Sequence, residues 1–151
     1  MFEREGWVFD PLPDSLQAAV ETHDRLIANT QQDAELLQSV VEALLRWDAG
    51  DTITVAFYGG TDDLYRKIAA AAREWTTHAN LELDFGDDDQ SFRTWSPADR
   101  DYAADIRIAF DTIAQPGCWS LVGRNSVQRR VVGPGGASMN FGGFDTRLPD
   151  D

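Results

Sequence analysis

The sequence contains few of the residues from which enzymes commonly build catalytic or metal sites. Its 151 residues include one cysteine, Cys118, and two histidines, His23 and His78. A single cysteine excludes a disulfide within the chain and offers no cluster for zinc. The histidines stand far apart without metal-ligand spacing, and the sequence has neither a Gly-x-Ser-x-Gly elbow nor a phosphate-binding glycine loop. The residues by themselves therefore identify no active site.

Basic residues and long apolar runs are also scarce. Lysine and arginine total 13 against 26 aspartate and glutamate residues, which gives a formal net charge of −13. Nucleic-acid binding depends on neutralising phosphates, so this balance argues against it. No apolar run reaches the ~20 residues of a membrane span, and the N-terminus lacks the basic start and apolar stretch of a secretory signal. We expect no nucleic-acid or membrane partner and a cytoplasmic location by default, or secretion if a leader was removed.

The overall composition fits a globular protein, since 42% of the residues are hydrophobic and 11% are aromatic. Residues 1–50 predict an N-terminal helical segment. Its first helix has a capping box at residues 14–17 and an apolar stripe that includes His23, which favours a half-buried histidine over a ligand. The second helix carries the apolar stripe Leu36, Leu37, Val40, Val41, Leu44 and Leu45. Residues 51–151 are expected to form a sheet-and-helix subdomain that packs with the first segment as one unit.

The most regular pattern runs from residue 52 to residue 110. Apolar residues alternate at a period of two in residues 52–58, 81–85 and 105–110, which predicts three strands. A helix that begins at Thr61 separates the first two and favours parallel pairing. The opposite strand faces carry the polar residues Thr52, Thr54, Glu82, Asp84 and Arg107. Because a sheet buried on both sides is apolar on both, we expect helices mainly on one face and solvent or loops on the other.

The C-terminal third is less regular. Short strand-like pieces lie near residues 118–122 and 137–142. Between them, Arg124, Arg129 and Arg130 form the one basic cluster of the sequence. In so acidic a chain, this cluster favours a solvated turn over an anion site.

Five segments of the sequence occur in an order that resembles a known protein family. They are Arg-Trp-Asp-Ala-Gly at 46–50, Ala-Arg-Glu-Trp at 72–75, Asp-Ile-Arg-Ile-Ala-Phe at 105–110, Gly-Cys-Trp-Ser-Leu-Val-Gly at 117–123 and Ser-Met-Asn-Phe-Gly at 138–142. Together they resemble the N-terminal part of a metzincin-type zinc metallopeptidase domain, of the astacin and matrixin kind. The resemblance implies an α/β (α+β) fold with a zincin-like N-terminal subdomain. In it, a twisted, mixed five-stranded sheet has helices mainly on one face and is preceded by two N-terminal helices.

In such enzymes the strand that matches residues 138–142 precedes a helix with His-Glu-x-x-His, whose histidines hold zinc and whose glutamate activates water. No such motif occurs in this sequence. The resemblance therefore implies a truncated or incomplete zinc metalloendopeptidase domain without a catalytic residue, metal ligand or cofactor of its own. Zinc is expected only if a downstream His-Glu-x-x-His segment exists. The alternative is a non-catalytic module that binds a peptide or a partner protein.

The resemblance also implies one binding site, at the edge strand that forms the upper rim of the cleft. An extended peptide substrate or partner pairs along such an edge, although a covered, structural edge is the alternative. The matching residues are Trp119, Ser120, Leu121, Val122 and Gly123. A proline at Leu121 is expected to remove an edge N–H and abolish binding. The neighbouring Cys118 matches a position that is disulfide-bonded in secreted relatives, and its lack of a partner argues against an extracellular setting.

The absent helix has a physical consequence. In the family, two helices share the concave face of the sheet, so a chain with only one would leave an apolar face uncovered. We expect the helix with Leu37, Val41 and Leu44 to cover part of this face, or the chain to form a homodimer through it. A missing C-terminal half is the third candidate for the cover.

Overall fold

A computed structural model describes residues 10–28, 43–86 and 91–144. Its elements, in chain order, are α1 (Asp14–Ala28), β1 (Thr52–Phe57), α2 (Asp62–Thr76), β2 (Glu82–Asp84), β3 (Ile106–Ala109), β4 (Cys118–Ser120), a 3-10 helix (Gly123–Val127) and β5 (Met139–Phe141). The predicted first helix and the strand–helix–strand core are confirmed. Of the predicted second helix, residues 43–45 are helical, and its part between residues 29 and 42 lies outside the described residues.

The five strands form one mixed, mostly parallel sheet in the order β2-β1-β3-β5-β4. β1 runs parallel to both β2 and β3, and β3 runs parallel to β5. β4 is antiparallel to β5. The mixed five-stranded sheet expected from the sequence is confirmed. β4 stands at one end of it, where no other described strand lies against its outer side.

The start of α2 is stabilised by a capping side chain and by acidic residues that interact favourably with the helix dipole. The Oγ1 atom of Thr61 accepts a hydrogen bond from the backbone N–H of Leu64 at 3.3 Å. Asp62 and Asp63 lie in the first turn, where negative charge is favourable. The sequence signals read at this position therefore act as expected.

The face of the sheet beneath α2 carries one half of the core. Its buried side chains are Val55, Phe57, Leu64, Tyr65, Ala69, Phe85, Ile108 and Phe110. The rings of Phe57 and Tyr65 stack with their centroids 4.1 Å apart. Each Å² of apolar surface removed from water contributes about 25 cal/mol, so this cluster holds α2 on the sheet.

Loops cover most of the second face, as expected, and α1 also reaches it. The buried cluster on this side consists of Leu16, Ala56, Trp95, Ala104, Ala109, Trp119, Leu121, Val131, Val132 and Ala137. Among these, Leu16 belongs to α1, and Leu12 packs against the same cluster. The N-terminal helix is thereby attached to the loop-covered side of the sheet.

Arg107 differs from the simple expectation of a polar residue on a wetted face, because its side chain is completely buried. Its guanidinium donates hydrogen bonds to the backbone carbonyls of Ala104, Ser126 and Gly136. The loops and the 3-10 helix over this face supply these carbonyls, so hydrogen bonds replace water around the charge. Burial lowers the pKa of Arg107 to about 10, and the side chain remains charged at neutral pH.

Candidate functional site

The edge strand β4 presents its backbone groups alternately inward and outward. The N–H of Leu121 donates to the carbonyl of Ser138 at 2.9 Å, and the N–H of Gly142 donates to the carbonyl of Gly117 at 3.0 Å. Trp119 pairs with Asn140 between them. In an antiparallel pair such bonded positions alternate with positions whose backbone groups face away. The backbone groups of Ser120, between Trp119 and Leu121, therefore face the outer edge.

The five residues predicted to bind a peptide thus divide into different roles. Trp119 and Leu121 are buried in the loop-side core. Ser120 and Val122 are exposed, and Ser120 occupies an outward-facing position of the paired strand. Gly123 begins the 3-10 helix after the strand. Their assignment as a substrate site stays a prediction, but the geometry shows which of them a partner strand could reach.

The expectation that Leu121 has an edge N–H is wrong. Its amide is inside the ladder with Ser138, as the alternation above requires. A proline at this position would break the β4–β5 pairing instead of altering the free edge. Within the paired strand, the outward N–H groups are those of Cys118 and Ser120.

The first outward position of β4 is occupied by the N-terminal segment. The backbone N–H of Asp10 donates to the carbonyl of Cys118 at 3.1 Å, and the N–H of Cys118 donates to Oδ2 of Asp10 at 3.0 Å. The covered edge, one of the two predicted alternatives, therefore applies at Cys118, and the binding edge stays a prediction for the rest of the strand. Cys118 is covered, whereas the next outward position, Ser120, is left open by the described residues.

The electrostatics at Cys118 reflect this contact. Its thiol is free and half-buried. Burial raises the pKa of Cys118, the nearby carboxylate of Asp10 raises it further, and a hydrogen bond with the backbone of Gly142 opposes both effects. The thiol is therefore predominantly protonated at neutral pH, a form with little nucleophilic or metal-binding character.

An apolar groove of about 560 Å³ runs beside β4 on the α2 side of the sheet. Its walls come from α2, from the strands and from Phe144. The lining residues include Val55, Ile68, Ala72, Trp75, Leu83, Phe85, Ile106, Ile108, Cys118, Ser120, Met139, Phe141 and Phe144. Trp75, at the rim, is 77% exposed. This is the apolar face that the sequence predicted to lack a cover.

Only the C-terminal end of the helix predicted to cover this face lies among the described residues. Leu37 and Val41 lie outside the described residues. Leu44 is 58% exposed, and none of the described residues 43–50 lines the groove. The backbone of Leu45 instead lies against Gly123, where an added Cβ would come within 1.9 Å of the Leu45 carbonyl oxygen.

Two of the three arginines in the basic cluster form ion pairs. Arg124 contacts Asp48 at 2.9 Å and Asp51 at 3.1 Å, and its guanidinium lies 5.4 Å from the ring centroid of Trp47. Arg129 pairs with Asp101 at 3.2 Å, and Arg130 is exposed. The prediction of a solvated turn overlooked the contact of Arg124, which joins the segment after β4 to the turn before β1.

The donor groups of the described residues do not form a zinc site. In the three described ranges, no group of three histidine, cysteine, aspartate or glutamate residues comes together in a way that could hold a metal ion. His78 lies exposed in the turn that follows α2, and its backbone N–H donates to the carbonyl of Trp75. His23 is half-buried on α1, as the sequence predicted.

Comparison with solved structures gives this arrangement a context. Two structures of myroilysin, a metallopeptidase, are similar to the chain. One is 29% identical with a TM-score of 0.50 over 68% of this chain and 41% of that protein. The other is 26% identical with a TM-score of 0.52 over 72% of this chain and 39% of that protein.

The fold is metallopeptidase-like. The chain spans about two fifths of the length of the solved structures that it matches. No protein-family model matches the sequence, and a search of curated proteins finds no match. No helix within the described ranges is long and apolar enough to cross a membrane.

Two features of the site escaped sequence reasoning. The contact between Asp10 and Cys118 joins positions 108 residues apart, and no local pattern signals it. The direction of each β4 amide depends on the register with β5. The edge strand itself was found through its resemblance to a known rim strand, since three residues are too few for a periodic signal.

Proposed function

We propose that β4 is the peptide-binding rim of a cleft and that the chain forms the N-terminal, sheet-bearing part of a metzincin-type zinc metalloendopeptidase domain. The observation that carries this proposal is the open outer edge at Ser120, next to the apolar groove. The likeness to myroilysin supports it. In this assignment the chain supplies the scaffold and the rim.

The edge offers the groups that an added strand requires. The N–H and C=O of Ser120 face outward, so an extended peptide can continue the hydrogen-bond ladder. Side chains directly opposite each other in paired strands lie on the same face. Because the side chain of Ser120 lines the groove, the peptide residue opposite it would also face this apolar groove. An alternating peptide with apolar residues at every second position fits this arrangement.

Peptide hydrolysis needs groups that the chain does not contain. Within the described ranges no three metal-ligating side chains come together, and the sequence has no His-Glu-x-x-His. We therefore assign no hydrolytic step to residues 1–151 and assign any cleavage to a segment outside them. Reading the source gene beyond codon 151 tests this assignment. An open frame into His-Glu-x-x-His supports the peptidase, and an immediate stop codon contradicts it.

The second candidate is a non-catalytic module that captures a peptide or a partner strand along the same edge. The open backbone groups of Ser120 favour it equally, because strand addition requires no metal. The stop codon described above would select this candidate. Both candidates require binding at the edge, so binding is the property to measure first.

A fluorescein-labelled octapeptide of alternating threonine and leucine, with lysine at each end, is a suitable probe. We expect its fluorescence anisotropy to rise on titration with the protein. Ser120→Pro removes an outward N–H and should weaken binding about ten-fold. Ser120→Ala keeps the N–H and serves as the control. Equal affinity for both variants, with the fold intact by circular dichroism, would rule out backbone pairing at this edge.

Hydrogen exchange provides a second, site-specific reading. On addition of the peptide, the amide of Ser120 should exchange more slowly, since it gains an acceptor. The amide of Leu121 is already bonded to Ser138 and should change little. Protection confined to other parts of the chain would contradict the proposed site.

A further inference from the structure

The N-terminal segment reaches β4 in the manner of a short added strand. The N–H of Asp10 donates to the carbonyl of Cys118, as the backbone of a neighbouring strand would. The Asp10 carboxylate accepts from the Cys118 N–H, and thus stands where the carbonyl of such a strand would be. Both outward backbone groups of Cys118 are therefore already used.

We propose that Asp10 is an intramolecular competitor that limits peptide binding to the edge of β4. The inference rests on the proposed function of that edge and adds its regulation. An incoming peptide pairs freely at Ser120. To extend its ladder to Cys118, it has to displace both hydrogen bonds of Asp10.

The local structure is built for this close approach. Gly117 has a φ of +92°, and a Cβ at this position would lie 2.7 Å from Oδ2 of Asp10. A side chain at residue 117 would therefore push Asp10 away from the edge. Glycine both permits the backbone conformation and leaves room for the carboxylate.

The competitor is held near its target by α1. Pro11 and Pro13 restrict the backbone between Asp10 and the helix. Leu12 and Leu16 then pack against the cluster that contains Trp119, on the inner side of the same strand. A tethered group of this kind acts at an effective concentration in the millimolar range. A free peptide therefore occupies Cys118 only if its concentration, or its affinity for the edge, is high enough to compete with the tethered Asp10.

The test uses the full chain and the same octapeptide. Asp10→Ala removes the carboxylate acceptor, and we expect its dissociation constant for the peptide to fall about ten-fold, the effect of one lost charge-assisted hydrogen bond. Asp63→Ala removes one exposed negative charge from α2 and serves as the charge control, with the affinity of the wild type. Asp10→Asn keeps an oxygen acceptor of the same shape and should bind more weakly than Asp10→Ala.

Hydrogen exchange at Cys118 separates the possible failures. In Asp10→Ala without peptide, the Cys118 amide should exchange faster than in the wild type, and an unchanged rate would overturn the competitor. Faster exchange with equal peptide affinity in all variants would overturn competition while leaving peptide binding at the edge intact. Absence of peptide binding by every variant would overturn the proposed function together with this inference.

Discussion

The guanidinium of Arg107 lies over the ring of Tyr102, 4.5 Å from its centroid, in a fully buried position. The ring and three backbone carbonyls surround the charge, and Tyr102 in turn donates its hydroxyl to the carbonyl of Val132 at 2.7 Å. The stability of the loop-covered face depends on this cluster, because removing the donor would leave several buried acceptors unpaired.

We expect Arg107→Met to lower the free energy of unfolding by about 3 kcal/mol, measured by urea denaturation with tryptophan fluorescence. Arg107→Lys should be nearly as destabilising, since an ammonium group cannot reproduce the planar fork of donors. Arg66→Met removes an exposed arginine that pairs with Asp63 and should change stability by less than about 1 kcal/mol. Equal effects of Arg107→Met and Arg66→Met would show that the buried cluster contributes nothing.

Asp111 gives the stability a dependence on acid pH. Its carboxylate accepts hydrogen bonds from the backbone N–H groups of Ile113, Ala114 and Gln115. These bonds, that of Ile113 foremost, lower the pKa of Asp111, and burial opposes them. A lowered pKa means that the unfolded chain binds the proton first as the pH falls. The stabilisation is therefore complete above the ordinary aspartate pKa of about 4 and is lost as the pH falls through the lowered value.

Asp111→Asn should accordingly be less stable than the wild type at pH 7, and the difference should shrink toward pH 2. Urea denaturation at a series of pH values measures it. Asp63→Asn, which removes an exposed carboxylate from α2, is the control for loss of one charge. A difference between wild type and Asp111→Asn that stays constant across the series would contradict the assignment.

The regular part of the fold was predictable because its signals are local. The alternation of Ile53, Val55 and Phe57 gives β1 directly, and Thr61 marks the start of α2. Local signals do not predict the environment of Arg107. A polar residue at this position of the strand could face solvent or could be buried among backbone carbonyls. Only the tertiary structure distinguishes these two environments.

The candidate site was less predictable for a related reason. The sequence and its resemblance located β4, but the direction of the Leu121 amide depends on its pairing with Ser138 in a later strand. The contact of Asp10 depends on how α1 attaches to the far side of the sheet. Neither relationship leaves a periodic trace in the sequence.

The thiol of Cys118 reports whether Asp10 is in place. Burial raises the pKa of Cys118, and the negative charge of Asp10 raises it further. We expect the rate of alkylation by iodoacetamide to rise with pH along a curve displaced to higher pH than that of an ordinary cysteine. Asp10→Asn should shift the curve toward lower pH because it removes the nearby charge, whereas Asp63→Asn should leave it unchanged. A curve that does not move in Asp10→Asn would show that the carboxylate does not act on the thiol in solution.

The apolar groove leads to a prediction about association. Its lining is nearly free of polar groups and its rim carries Trp75, which is 77% exposed. Apolar patches of this kind favour contact with another surface, and a second copy of the chain is one of the three covers expected from the sequence. We expect sedimentation velocity to show a concentration-dependent shift from monomer to dimer.

Trp75→Glu places a charge at the rim of the groove and should keep the chain monomeric, since burying an unpaired carboxylate at an interface is costly. Ile113→Glu is the matched control, because Ile113 is 89% exposed and does not line the groove. This variant should dimerise like the wild type. A wild type that stays monomeric at every concentration would exclude the homodimer, and dimers that persist in Trp75→Glu would place the interface elsewhere. In the first case the other two predicted covers, the helix with Leu37 and Val41 and a segment outside residues 1–151, would remain, because the apolar face would still require one.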